Sequence, residues 1–481
     1  MRSRFRRQIG SLLGVAFVSA DSAKALVGPK VATGRPLDIP AEFTPRQYAV
    51  LLLHIAAAVE HALMVEYLYA GFSLCGPQLP TTRQAEVAEW QETILGIAKE
   101  EMGHLMTVQN LLRCVGGPLN LDRDDYPWDS ELYPFPFRLE PLTRKALAKF
   151  VYAESPDPNI FTGPEAKEIR ELAEEDTNGR PIHRVGALYR LLQLIFEDPT
   201  LVRDADFRGE TFPFQANWDE WGRGYQGGSR GNVTGGAMPK TPDLLLLQVT
   251  SRSDALAAIQ AVATQGEATT TADPNAPSHF ARFLRIFRQF PKDGEWSPAK
   301  NVPVNPVVLS KIGSEHGESS SEQTEITHPE TVLWAHLFNV RYRMLLVTLL
   351  RTFEYPSNLS EASQSTPRGL LIHATFGEMY NLRALAQILM QMPLTEGKSD
   401  LVAGPPFEMP YTLRLPVDPV DRWHLHLDLI EASKVLADHL WGIGSQKHGK
   451  YLQALQQADC QTRAVVETIL KSNEKSLSGC R

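Results

Sequence analysis

The stretch Ile94-Leu95-Gly96-Ile97-Ala98-Lys99-Glu100-Glu101-Met102-Gly103-His104-Leu105-Met106-Thr107-Val108-Gln109-Asn110-Leu111 decides how the chain is read. Ile94, Ile97, Val108 and Leu111 recur at helical spacing and mark one buried face. Glu101 and His104, three residues apart, stand on that face where apolar residues belong. A carboxylate buried alone costs on the order of several kcal/mol, so it must neutralise, pair or bind a cation. A metal ion satisfies both side chains together. The bland alternative is a solvated Glu/His pair, since this spacing is common by chance. The apolar stripe argues against it, and places Glu100 on the solvated flank.

Working backward, the run Tyr48–Leu74 is apolar on most sides and reads as a buried helix. It is opened by Thr44 as N-cap and Pro45 in the first turn. Glu60 lies one turn from Ala56, Ala57, Leu63 and Met64, so a second carboxylate points inward from a helix antiparallel to the first. Inward carboxylates from paired helices together with Glu-x-x-His are what a carboxylate-bridged metal site in a helix bundle requires. Carboxylate and imidazole together suit iron or manganese. Cys75, Cys114, Cys460 and Cys480 form no CxxC pair, which argues against a thiolate zinc or iron–sulfur site. His54, His61 and Glu66 are read as structural, with Glu66 in a salt bridge near the helix end. His336, His373 and Glu378 interrupt apolar runs further on and are also read as structural, because a spacing of five does not share a helix face.

Working forward, Gly116-Gly117-Pro118 stops the second helix, which runs from about Thr82 to Val115. Residues 118–142 read as a long irregular connection, with short helices near Arg144–Glu154. Pro181–Phe196 is expected as a third long helix and Asp254–Glu267 as a fourth, resuming at Ser278–Phe290 with Ser278 as N-cap. Residues 208–240 look like an excursion over the surface. The helices Glu330–Phe353, Thr366–Met392, Pro419–Trp441 and Lys447–Leu477 follow, separated by Pro-rich connections. The expected organisation is a signal-like segment and linker at 1–43, a bundle at 44–290, a linker at 291–329 and a C-terminal helical region at 330–481. The fold class is all-α, with long irregular connections.

The 481 residues, 43% of them hydrophobic, can fill more than one core. A formal net charge of -8 and the lack of any Lys/Arg-rich stripe argue against nucleic-acid binding. At the N-terminus, Arg2, Arg4, Arg6 and Arg7 precede the apolar run Ile9–Ala20, which is too short to span a bilayer. With Ser19, Ala20 and Ala23 behind it, this fits a cleaved export signal, and Arg6-Arg7 fits the twin-arginine type. A cytoplasmic protein with a disordered basic tail, or an organelle transit segment, is the other reading. No other segment is expected to span a membrane.

Val59-Glu60-His61 with Tyr67-Leu68-Tyr69-Ala70, and Lys99-Glu100-Glu101-Met102-Gly103-His104-Leu105 with Asn110-Leu111-Leu112 and Gly116-Gly117, carry a family resemblance. So do Val185-Gly186-Ala187-Leu188-Tyr189, Gln265-Gly266-Glu267 with Ser278-His279-Phe280 and Phe283, and Ala403-Gly404-Pro405-Pro406-Phe407. Over roughly residues 45–410 the chain resembles the ferritin-like domain of the iminophenyl-pyruvate dimer synthases, which act in bis-indole biosynthesis. The resemblance implies a ferritin-like bundle with additional C-terminal helices. It adds Glu267 and His279 to Glu60, Glu101 and His104 as metal ligands. It also implies a Glu on the third helix near Ala187 or Leu188, where this chain has none. With that carboxylate missing and Glu197 too far along, about one metal per chain is expected. The implied function is a metal-dependent oxidoreductase, with non-haem iron or alternatively manganese, acting on a small aromatic or imine-bearing metabolite of secondary metabolism. Haem is left open, as is a homo-oligomer. Tyr67, Tyr69, Trp128, Phe135 and Tyr189 are the aromatics available to line a substrate pocket. A non-catalytic ferritin-like metal-binding or scaffold protein is the alternative.

Overall fold

A computed structural model describes residues 39–123, 133–177, 179, 182–221, 244–269, 277–292, 294–308, 323–357, 366–397, 400–409, 413–443 and 446–478. The signal-like segment and Trp128 lie outside these residues, as do Pro181, most of the 208–240 excursion and residues 309–322 of the expected linker. Twelve α-helices are found among the described residues, with one two-residue parallel pairing of β1 (Pro306–Val307) and β2 (Thr324–Glu325).

Helices α1 (Pro45–Ser73) and α2 (Gln84–Cys114) form the first hairpin. Thr44 opens α1 through a capping box with Gln47, and Pro45 occupies the first turn, as the sequence predicts. Gly71 lies against Leu95, and Val50 against Gly117 at the far end, so the two helices run antiparallel. Gly116, at φ 68°, turns the chain out of α2. Next come α3 (Arg144–Ala153), α4 (Pro164–Asp176) and α5 (Val185–Glu197), a single turn α6 (Trp218–Trp221), then α7 (Arg252–Glu267) and α8 (His279–Gln289). α5 packs on α7 and on α1. α8 packs on α3, α7 and α2 and completes the fourth wall, with Ser278 capping it as expected. α4 was not anticipated; it is strongly charged and buries only Ile169 and Ala173.

Gly103 lies where the extended segment 244–249 crosses α2; a Cβ there would sit 2.8 Å from the Leu245 nitrogen. Thr107 donates to the Leu245 carbonyl at 2.6 Å and Asn110 to the Leu247 carbonyl at 2.9 Å. These contacts fix the rotation of α2, and with it the direction of Glu101 and His104.

The second bundle is α9 (Pro329–Thr352), α10 (Pro367–Leu389), α11 (Pro419–Gly442) and α12 (Gly449–Ser478). Its hub is Arg341 on α9. The guanidinium takes Glu378 of α10 at 2.5 and 2.7 Å, Asp459 of α12 at 2.7 and 2.9 Å, and Ser433 of α11 at 3.1 Å. This confirms a structural role for Glu378. The bundles meet where Tyr342 of α9 lies 2.5 Å from His61 of α1. The described part of the segment expected as a linker packs tightly. Val302, Val307 and Val308 are buried, and the Pro303 carbonyl accepts from Tyr69 at 2.5 Å. α1 is also long and apolar enough to cross a membrane by length and composition, and 72% of its most apolar window is buried inside the protein.

Candidate metal centre

Glu101 turns its two oxygens toward two histidines. Oε2 lies 2.8 Å from His104 Nδ1, and Oε1 lies 2.9 Å from His279 Nδ1. A further carboxylate stands beside each imidazole: Glu60 Oε2 at 3.5 Å from His104 Nδ1, and Glu154 Oε2 at 3.8 Å from His279 Nδ1. Each of these carboxylates is in turn held by a phenol. Tyr189 donates to Glu60, and Tyr67 donates to Glu154 at 2.6 Å. The centre is therefore two similar halves sharing Glu101. Glu60 and Tyr189 come from α1 and α5; Glu154 and Tyr67 come from the end of α3 and from α1. All five acidic and imidazole side chains are at most 3% exposed.

Both histidines present Nδ1 to the centre because Nε2 is engaged outside it. His104 Nε2 is 2.9 Å from Gln265 Oε1, and His279 Nε2 is 2.9 Å from Glu100 Oε2. Acceptors at Nε2 hold a proton there and leave Nδ1 as the nitrogen that would face a cation once its own proton is displaced, an arrangement typical of metal-ligating histidines. Glu100 is thus not on a solvated flank: it also accepts a bidentate pair from Arg282.

Burial pushes the Glu60 carboxyl up to about 8, and the charge of Glu101 adds to this. Burial acts on Glu101 in the same direction, yet His279 and His104 hold it well below the usual range. Against burial, the Glu101 carboxylate raises His104 to about 10 and lifts His279 well above its ordinary value. Protons are therefore what neutralise these carboxylates when no cation does. Glu60 Oε2, Glu101 Oε1 and His279 Nδ1 are buried without an aligned hydrogen bond. Glu101, His104 and His279 each offer a ligand atom within 4.8 Å of the others. The orphaned atoms and the carboxylate/imidazole chemistry fit a metal such as iron or manganese. A space of about 10 Å³, the size of one water or ion, is lined by Glu60, Glu101, His104, Glu154 and Glu267.

Of the sequence-predicted residues, Glu60, Glu101, His104 and His279 converge. Glu267 stands on the rim, its buried Oε2 3.5 Å from Arg184 but without an aligned hydrogen bond. The carboxylate missing from the third helix arrives from Glu154. Sequence reasoning did not assign it to the site, because it caps a short helix and interrupts no apolar stripe. The face of α5 also differs from expectation: Val185, Gly186 and Tyr189 line the centre, whereas Ala187 and Leu188 do not. Glu66 is structural and accepts the Arg138 amide at 2.6 Å. Among the expected aromatics, Tyr189 and Tyr67 reach the centre through their hydroxyls. Tyr69 is engaged with Pro303, and Phe135 packs near Lys149 and Phe150.

Residues 53–288, which carry every residue of this centre, match the family model described as Ferritin-like, and this stretch is a ferritin-like domain. The chain is 28% identical over 393 residues to the dichlorochromopyrrolate synthase of Lentzea aerocolonigenes. That alignment covers 75% of this chain and 36% of the relative, so the chain spans about a third of that protein's length. It is also similar to the crystal structure of a ferritin like protein from Caulobacter vibrioides, with 17% identity, a TM-score of 0.41, and 72% and 98% of the two chains covered.

Proposed function

We propose that the protein is a metal-dependent oxidoreductase acting on a small aromatic or imine-bearing metabolite, of the iminophenyl-pyruvate dimer synthase type. The observation that carries this reading is Glu101 set between two inward Nδ1 atoms, with Glu60 and Glu154 behind them. Glu60, His104 and Glu101 would hold one cation; Glu101, His279 and Glu154 a second. Non-haem iron held there would supply one-electron chemistry toward dioxygen; manganese suits the same donors. The chain's own contribution is to fix the donors and dispose of protons. Gln265 and Glu100 hold the imidazole protons at Nε2, while Tyr189 and Tyr67 orient the outer carboxylates. The apolar walls exclude bulk water. The synthase relative supports a biosynthetic substrate of this class.

A second reading is metal binding without turnover, favoured by the burial of Glu60, Glu101, His104, Glu154 and His279, none of them more than 3% exposed. The test is to load the full chain with ferrous iron anaerobically, measure bound iron and the absorption spectrum, and follow oxygen uptake with and without an aromatic imino acid. Iron binding with substrate-accelerated uptake that is lost in Glu101→Ala is expected. Iron binding with no effect of substrate selects the second reading, and absence of bound iron overturns both.

A further inference from the structure

The second bundle carries an internal space that the metal centre does not account for. A cavity of about 90 Å³ lies between α9, α10, α11 and α12. On one side it is bounded by Leu370, Leu371, Trp423 and Val466, which belong to one small apolar cluster. On the other it is bounded by Met344 and Ile430, which belong to another. The core of this bundle is therefore divided where a well-packed interior would be continuous. The space is several times what a single water needs, and somewhat below the roughly 150 Å³ in which a benzene ring is enclosed.

Two further observations give it chemistry. His426 is 4% exposed, lines the cavity, and has Nε2 buried with no hydrogen-bond partner. Burial, followed by the charge of Arg351, lowers its pKa to about 3, so the imidazole is neutral. Gly377 lies at mid-helix in α10, exposed, and a Cβ there would meet nothing within 4 Å. A glycine inside a helix is a cost, and no neighbour requires this one. It lines the cavity and leaves its wall low on the solvent side.

The other polar groups define what the space takes. The guanidinium of Arg341 is consumed by Glu378, Asp459 and Ser433, so it has no fork to offer an anion. The two carboxylates repel one. Thr348 and Thr462 are turned back on their own helix carbonyls.

We propose that this cavity is a binding site for a small uncharged molecule with an apolar body and one hydrogen-bonding edge, entering beside Gly377 and pairing with His426 Nε2. A single-ring azole has this chemistry, and pyrazole, uncharged near neutral pH, is the probe. It is titrated into the full chain while the histidine ring nitrogens are followed by ¹⁵N NMR and the heat by calorimetry. Saturable binding of one pyrazole per chain is expected, with the Nε2 resonance of one histidine shifting, and that resonance absent in His426→Phe. Gly377→Leu, at an exposed position with open space around it, is expected to weaken binding about tenfold or more, while Gly377→Ala leaves it in place. No saturable binding to the wild type, or binding unchanged in both His426→Phe and Gly377→Leu, overturns the proposal. Neither outcome bears on the metal centre, which lies in the other bundle.

Discussion

Glu267 occupies the space that a side chain at position 186 would need: a Cβ on Gly186 would lie 1.9 Å from Glu267 Oε2. At position 186 the third helix thus approaches the rim of the centre without a side chain, and the Glu267 carboxylate of α7 fills the space left there. Gly186→Ala is expected to move Glu267 rather than the backbone, because the obstructing atoms are the far end of a flexible, partly exposed side chain. Its stability change should stay within about 1 kcal/mol, helped by the better helix propensity of alanine. Iron affinity should fall several-fold, as it should in Glu267→Gln, and the double variant should be little worse than either. Urea titration and iron competition are the measurements. Unchanged affinity in both single variants shows that Glu267 serves Arg184 alone.

Shared use of Glu101 predicts a particular pattern of metal loss. Wild-type chain should bind about two ferrous ions, where the empty position on the third helix had suggested one. Glu101→Ala should lose both, whereas His104→Ala and Glu154→Ala should each retain the other half's ion. Iron analysis after gel filtration, with far-UV circular dichroism to show the helices intact, reads this directly. One ion in the wild type that survives Glu154→Ala places Glu154 outside the ligand set.

Arg341 joins four helices through one guanidinium. Arg341→Met removes the cation and leaves Glu378 and Asp459 buried and facing each other. Breaking a buried pair in this way costs about 3–5 kcal/mol. Chemical denaturation should show a loss of that order, most of it recovered when Glu378 and Asp459 are replaced by Gln and Asn in the same chain. A loss under about 1 kcal/mol in Arg341→Met would mean that water already satisfies these carboxylates.

The depressed pKa of His426 sets the sign of an acid effect. The unfolded histidine titrates near 6.5 and the folded one near 3. The unfolded state therefore binds more protons between those values. The contribution is fully present above about pH 6.5 and is lost as the pH falls toward 3, by roughly 1.4 kcal/mol per pH unit at most. His426→Phe should flatten that part of the stability curve. A wild-type slope identical to the variant's across pH 6 to 4 would show that the folded imidazole takes up its proton as readily as the unfolded one.

How much of this could be read beforehand follows from where each residue lies. Thr44, Pro45, Gly116 and Ser278 mark helix ends through local backbone chemistry, so they were legible. Glu60, Glu101 and His104 were legible because a polar residue on an otherwise apolar stripe stands out. His279 and Glu267 needed a family resemblance, since they sit at the ends of two short helices where periodicity is too brief to orient a face. Glu154 gave no signal: it follows the last turn of α3, beside Ser155-Pro156, and only the packing of α8 on α3 brings it to His279. The face of α5 was misjudged by a residue or two, enough to exchange Ala187 for Gly186 and Tyr189. Arg341 could have been noticed, as a lone charge among Leu337, Phe338, Leu345 and Leu346, by the argument applied to Glu101.

The burial of α1 has a meaning for synthesis as well as for the finished fold. Its 29 residues reach a mean hydropathy of 1.8 in their most apolar window, so while it emerges from the ribosome it resembles a segment that membrane-insertion machinery accepts. What covers it first is α2, joined through residues 74–83 only, so the partner follows within one short loop. Such a near-neighbour hairpin closes early, before the distant α5 and α9 have been translated. A nascent chain arrested before residue 84 would present the bare segment to chaperones or to a translocon. One arrested late enough for α2 to clear the exit tunnel would already have a surface on which to hide it.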